Sequence, residues 1–419
     1  MIATSLNIQE FKHDFLSFCH LIGAKTWQNR MAKLREVISG NIYAEDFLRE
    51  DNQLCFALVE LQGIWDRFGL FPRTLRRKRH LFFAMAFVTQ TVSLIKALGE
   101  KEGKRLANRI VGAIKSSPED VRALQVELAT ATHFLQSGLT VSFADASRSE
   151  RFDLLVSGAG EADLEVECKF ISQDKGKKVH RADLHEFYKL VVPHVDEYLA
   201  REGVNAIVEV VVPDRFPASQ AGKFSISESV RAVLNGADLK ANEFVSAIKV
   251  IQHDLEGVSA LPSSKGLNRD LIDAITGTRN ENALVRESRD GRKSILIVRS
   301  AKESALLSSI YETLSDSSKK QFTRTRPAMS VALFHGISID GLVAIAGHDE
   351  GVDSLQVIAS RLINRQPHLI SVWFMSESEL SGPEAGETRS GGAVYHFKNT
   401  NSPFWKEGYD LHISPMTLR

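Results

Sequence analysis

Cysteine is scarce in this 419-residue chain: Cys19, Cys55 and Cys168 are too few and too scattered for a disulfide framework or a structural zinc site. Net charge is lacking too, because 52 Lys and Arg balance 52 Asp and Glu, so no global field draws the chain to nucleic acid or membrane. No phosphate-binding loop ending in Gly-Lys-Ser/Thr occurs, so hydrolysis of nucleotides is not expected. The stretch "GAGEAD" (158–163) opens no helix and reads as a turn rather than a dinucleotide loop. The histidines, among them His180, His185 and His194, lack zinc-ligand spacing. The opening "MIATSLNIQEFKHDF" has no basic segment followed by an apolar core, as a signal peptide would. The longest apolar stretch, "LFFAMAFVTQTVSLIKAL" (81–98), is interrupted by Thr89-Gln90-Thr91 and Lys96, which predicts a buried helix rather than a membrane span. The expectation is a cytoplasmic protein without membrane contacts.

What is present is ordinary in bulk and uneven in detail. With 43% hydrophobic and 25% charged residues the chain can fold as one large or two ordinary cores. Residues 1–117 hold 18 Lys and Arg against 11 Asp and Glu, a surplus of seven that the remainder cancels. Such a division suits a polyanion-binding module beside a part that holds cations, and it suits plain surface asymmetry equally well.

Periodicity predicts helices through residues 1–115, where apolar residues recur at three- and four-residue spacing and Pro72 is the only proline. From 116 the pattern changes. Ser117 can cap a helix with Pro118 at its first position, Asp120 at the capping-box position and Gly138 as its stop. Strands are predicted at about 139–144, 152–157 and 163–170, a helix at about 181–201 and a strand at 205–213. Beyond 213 the strands "SILIVRS", "AMSVALFHG", "ISVWFMS" and "AVYHFKN" and helices at 302–321 and 353–363 continue an α/β pattern. This part either extends the same sheet or forms a second lobe. Polar tracts at 214–228, 256–268, 286–293 and 376–392 read as loops.

The chemistry concentrates in "RFDLLVSGAGEADLEVECKF" (151–170). In the last strand Leu164, Val166, Cys168 and Phe170 share one face, and Glu165, Glu167 and Lys169 the other. If the glycine-rich connection centres on Gly160, paired residue numbers total about 320 and Asp153 lies opposite Glu167. Opposed residues have Cβ atoms about 4.5–5.5 Å apart. Two carboxylates so close repel unless a cation lies between them; Lys169 supplies part of that charge, and a divalent metal would supply more. Magnesium or manganese fits, being a hard ion that takes oxygen ligands. Glu127 borders the apolar stripe of the 118–136 helix and can join the group. A solvated strand face of mixed charge would account for the same alternation.

The order Glu127 in a helix, Asp153 with the second strand and Glu167-Cys168-Lys169 in the third resembles the PD-(D/E)XK nuclease superfamily. The resemblance covers about 117–213 and implies a restriction-endonuclease-like fold, a helix–three strands–helix–strand core. The expected architecture is therefore α/β, with a helical amino-terminal region (1–115), a nuclease-like core (116–213) and an α/β carboxy-terminal region (214–419). By resemblance Asp153 and Glu167 would bind the metal, Lys169 would be the catalytic lysine and Glu127 an auxiliary acid. Phe152 stands where the motif has proline, a position without chemistry. The tripeptide alone carries no weight, since carboxylate-x-lysine also occurs at Glu10–Lys12, Glu102–Lys104 and Asp238–Lys240.

Basic residues flank this core. Lys175, Lys177, Lys178 and Arg181 follow the motif, Arg76, Arg77, Lys78 and Arg79 precede the long apolar helix, and Lys319, Lys320, Arg324 and Arg326 form a weaker group. Each could hold phosphates or lie in a solvated loop. The expected function is a Mg2+- or Mn2+-dependent nuclease acting on DNA in preference to RNA, of a kind used as an effector in bacterial genome defence. The alternative is a non-cleaving nucleic-acid-binding or complex-assembly subunit on the same fold. Association into a homo-oligomer or larger complex stays open.

Overall fold

The amino-terminal part is built of helices, the longest of which is largely apolar and buried. In chain order these are α1 (Ile8–Ile22), α2 (Lys25–Gly40), α3 (Glu45–Asp51), α4 (Gln53–Phe68), α5 (Arg79–Lys115) and α6 (Pro118–Gln136). They belong to a computed structural model that describes residues 6, 8–144, 150–172, 174–240, 242–255, 282–288, 290–347, 354–381, 389–406 and 408–409. α5 packs against α1, α4 and α6, and carries buried Leu81, Phe82, Met85, Phe87, Val88 and Val92. By length and composition it could cross a membrane, but 56% of its apolar window is buried inside the molecule. It is a core helix. α6 starts as its sequence predicts, with the Ser117 side chain accepting from the Asp120 amide and Pro118 in the first turn.

Two mixed sheets follow, in two units. The first unit comprises 1–35, 49–175 and 307–419, and the second 36–48 and 176–306. The first unit contains β1 (Thr140–Phe143), β2 (Leu154–Ser157) and β3 (Leu164–Ile171). After the second unit it resumes with α9 (Leu306–Gln321), then β8 (Ala328–Phe334), helices α10 (Ile339–Ala346) and α11 (Ser354–Arg365), β9 (Leu369–Met375), a short ribbon of β10 (Glu379–Ser381) and β11 (Arg389–Gly391), and β12 (Val394–Lys398). Its sheet has the order β1-β2-β3-β8-β9-β12. β3, β8 and β9 run parallel, and the remaining pairs are antiparallel. β8 and β9 are buried nearly throughout, as parallel strands covered on both faces must be.

The second unit holds α7 (Arg181–Glu202), β4 (Ala206–Val212), α8 (Gln220–Leu234), β5 (Ala247–Gln252), β6 (Ala283–Glu287) and β7 (Lys293–Ser300), and the chain leaves it at α9 (Leu306–Gln321). Its sheet order is β5-β4-β7-β6, with β4 and β7 parallel. Phe187, Val191 and Val195 of α7 and Ile226 and Val230 of α8 pack with Val208, Val210 and Val298 into one core.

The α/β class is as expected, but the grouping is not. Residues 181–201 and 205–213 do not complete the first sheet; they found the second. The strand beside β3 is β8, preceded by α9, so helix, three strands, helix and strand succeed one another in the first unit with 176–306 between them. The apolar run "AIVEVVV" announces a strand buried on both faces, and nothing local in such a run selects the sheet it joins. The tract 214–228 is not all loop either: α8 begins at Gln220, where the Ser219 side chain accepts from the Gly222 amide. Ile226, Val230 and Leu234 already carry its four-residue apolar spacing beneath the polar composition. Of the other tracts, 286–293 is the turn between β6 and β7 with one strand residue or two at each end, 376–392 contains the β10–β11 ribbon, and 256–268 lies outside the described residues.

Candidate metal centre on the third strand

The β2–β3 hairpin has the register the sequence predicts: Leu154 pairs with Val166, Leu155 with Glu165 and Val156 with Leu164, so paired numbers total 320. Asp153 sits one residue before β2, and its Oδ2 accepts a 2.7 Å hydrogen bond from the Cys168 amide. That bond fixes the carboxylate at the edge of β3, beside Glu167.

On the face carrying Glu165, Glu167 and Lys169 both glutamates are withdrawn from solvent, and Lys169 is partly exposed. Glu165 is 0% exposed and Glu167 1%, because α9 and the segment after it cover this side. A buried carboxylate needs partners. Glu165 has a complete set: the Thr323 amide at 2.9 Å, the Thr323 hydroxyl, and Arg326 Nε at 3.0 Å. Glu167 Oε1 takes the Lys169 ammonium at 2.5 Å and the Ser317 hydroxyl at 2.9 Å.

On the opposite face of β3, Cys168 meets Thr130 and Phe170 meets Arg122, both from α6. Glu127 of that helix is 2% exposed and is gripped by both terminal nitrogens of Arg109, at 2.7 and 2.6 Å. Its charge still reaches Asp153. Burial raises the Asp153 carboxyl well above its ordinary value, and the Glu127 and Glu167 carboxylates raise it further. Burial pulls the Lys169 ammonium down, but Glu167 and then Asp153 outweigh it and leave that pKa raised. Lys169 is therefore a protonated donor, not a base. Burial and the same carboxylates push the Cys168 thiol well up, so it stays neutral and unreactive.

Among the ion pairs of the described residues named above, these three carboxylates meet the two cations Arg109 and Lys169. Burial first and the neighbouring carboxylates second raise the Asp153 pKa, and a metal ion held there would offset the carboxylate repulsion. Among the described residues no three His, Cys, Asp or Glu side chains converge to hold an ion by protein groups alone. Magnesium does not require three, since it commonly uses one or two carboxylates, waters and substrate phosphate. Asp153 and Glu167 are the pair that fits. Glu127, committed to Arg109, acts on Asp153 through its charge.

The structure disperses the basic candidates. Arg326 does not present itself to phosphate but bonds Glu165 and, at 3.0 Å, Glu150. Lys320 pairs with Asp316 at 3.1 Å, and Arg324 donates to the Lys319 carbonyl. Lys78 pairs with Glu60 at 3.1 Å and Arg79 with Glu377 at 2.9 Å, whereas Arg76 is half-buried and Arg77 exposed in the turn before α5. Lys175 ends the first unit; Lys177, Lys178 and Arg181 belong to the second, with Lys178 on Asp214 at 3.1 Å and Arg181 over the Phe47 ring. Arg109 and Ser317 escaped the sequence reading because no spacing rule joins them to residues 18 and 150 positions away.

Comparison with known proteins gives no matching family model, no matching curated protein and no matching solved structure.

Proposed function

We propose that the first unit is a Mg2+- or Mn2+-dependent nuclease with a restriction-endonuclease-like core, acting on DNA in preference to RNA in the cytoplasm. The observation that carries this reading is the group of Asp153, Glu167 and Lys169 around the β2–β3 hairpin, where the Cys168 amide holds Asp153 beside Glu167 and burial and the neighbouring carboxylates raise the Asp153 carboxyl well above its ordinary value. A buried acidic pair kept only for stability would be matched by cations, as Glu165 is. A metal bound there would polarise the phosphodiester and lower the pKa of a bound water. Asp153, fixed by the Cys168 amide, and Glu167, fixed by Ser317, would orient its ligand oxygens. Lys169 stays protonated and donates to the attacking water or to the charge developing on phosphate. Glu127 supports the site from α6 by keeping Asp153 in need of a cation. The effector role in bacterial genome defence belongs to this reading, as does assembly into a homo-oligomer or larger complex.

A second reading is a non-cleaving nucleic-acid-binding or assembly subunit. The ion pairs Arg109–Glu127 and Lys169–Glu167 favour it, because they already neutralise two of the three acids. Cleavage of single- and double-stranded DNA and RNA in magnesium, manganese or EDTA separates the two. The nuclease reading predicts metal-dependent products from wild type and none from Lys169→Ala. Absence of products from wild type on every substrate would give the second reading precedence.

A further inference from the structure

A cavity of about 220 Å³ opens in the first unit where the carboxyl ends of β3, β8 and β9 meet the first turns of α5 and α6. Ligands of α/β sheets commonly sit beyond the carboxyl ends of parallel strands. Phe170 borders it, and because Phe170 follows Lys169 directly, the cavity and the side chains of Glu165, Glu167 and Lys169 lie on opposite faces of β3. Phe82 and Phe87, both buried, and the partly exposed Phe83 add aromatic wall.

Two arginines at this cavity share an arrangement. Arg79 is anchored through Nη2 to Glu377 at 2.9 Å and to the Ser378 carbonyl at 3.3 Å, with its guanidinium 5.7 Å from the Phe83 ring centre. Arg122 is anchored through Nη2 to the carboxylate and, at 2.9 Å, the carbonyl of Asp51, with its guanidinium 5.4 Å from the Phe170 ring centre. Neither makes a further hydrogen bond through Nε or Nη1 among the described residues. Only 11% of the Arg122 side chain is exposed, so its remaining N–H donors have little beyond the cavity to serve. Glu377 is itself a firm anchor: against the cost of burial, His335, the Gly336 amide and Arg79 hold its carboxyl at about 2. Each guanidinium is thus anchored through Nη2 and lies over a ring, and its Nε–H and Nη1 hydrogens remain as separate charged donors for an anionic oxygen rather than as one two-pronged edge.

We propose that this cavity binds a small aromatic molecule bearing one anionic oxygen group, a phosphate or a carboxylate, which accepts from the remaining N–H donors of Arg79 and Arg122 while its ring packs among the phenylalanines. The volume lies below the range of about 300–1,000 Å³ usual for drug-sized ligands, so the guest is small: one ring system and one acidic group, with at most a short linker such as a ribose between them. Asp51 and Glu377 already offset the arginine charge, so an anion gains directed hydrogen bonds more than net attraction. Ring burial must supply the rest. Neither inorganic phosphate nor a neutral nucleoside therefore satisfies the site alone.

Calorimetric titration of the full chain with 5′-AMP and with indole-3-acetate, against adenosine and inorganic phosphate, tests this without reference to cleavage. The phosphate-bearing and carboxylate-bearing probes distinguish the two sources of the anion. The expected result is binding of at least one aromatic anion, at least about tenfold tighter than adenosine or phosphate. Arg79→Gln and Arg122→Gln should each weaken it about tenfold or more, and the exposed Arg77→Gln should not. Arg79 is half exposed and carries the test if Arg122→Gln fails to fold. Failure of both aromatic anions to bind, equal binding of phosphate or adenosine, or unchanged affinity in both cavity variants would overturn the proposal.

Discussion

β3 and β4 are built to the same plan and treat charge differently. Each is an inner strand with an antiparallel neighbour on one side and a parallel neighbour on the other, and each carries a glutamate in its middle. Glu209 of β4 is met from both neighbours: Arg299 of β7 bonds it, and Lys249 of β5, its register partner, lies at 3.7 Å. Two cations answer one acid at a partly exposed site. On β3, Glu167 is 1% exposed and shares its surroundings with Asp153 and Glu127, so three acids meet two cations. The sheet of the second unit balances its charge for stability. The sheet of the first leaves a carboxylate in excess where burial makes the excess most expensive, and such arrangements cluster at functional sites.

The largest effect expected from this contrast is chemical. Lys169→Ala should lower metal-dependent cleavage about a hundred- to thousandfold, the usual cost of losing a donor aimed at developing charge. Glu209→Gln, assayed alongside, should leave the rate unchanged. Next is stability at the satisfied acid of β3. Arg326→Ala leaves Glu165 buried with only Thr323, and urea unfolding should show a loss of about 3 kcal/mol. Metal dependence of cleavage should survive in that variant.

A third prediction uses pH. The folded protein holds the Asp153 proton more tightly than the unfolded chain does, so its contribution to stability falls as pH rises from the ordinary carboxylate range, about 3.9, through the raised value. Above that it levels off. Asp153→Asn, whose carbonyl can still accept from the Cys168 amide, should therefore melt higher than wild type at neutral pH. The gap should close as pH falls, because acid protonates the wild-type carboxyl and removes the repulsion. The smallest effect is expected at β4: Arg299 and Lys249 are about half exposed, and removing the charge of Glu209 should cost less than about 1 kcal/mol in thermal unfolding.

Much of the first unit was legible because its signals are local. The Ser117 cap and Pro118 set the start of α6, and the Gly160-centred turn fixes a register that alternation then carries to Glu165 and Glu167. Burial of that face was not legible. It depends on α9, 150 residues away, whose Ser317 reaches Glu167. Assignment of 181–213 to the core failed for the same reason: a two-sided apolar strand states how it is covered and not which sheet receives it. Arg326 stood in the weaker group of phosphate candidates because a basic residue in a polar segment has the same appearance whether it faces solvent or a buried glutamate.

The central claim is that the carboxylate excess on β3 exists to hold a divalent cation. Calorimetric titration with Mn2+, comparing wild type with Asp153→Asn and Glu209→Gln, tests it most directly. The account predicts Mn2+ binding in wild type, its retention in Glu209→Gln and its loss in Asp153→Asn. Equal Mn2+ binding by wild type and Asp153→Asn, or none by wild type, would contradict it.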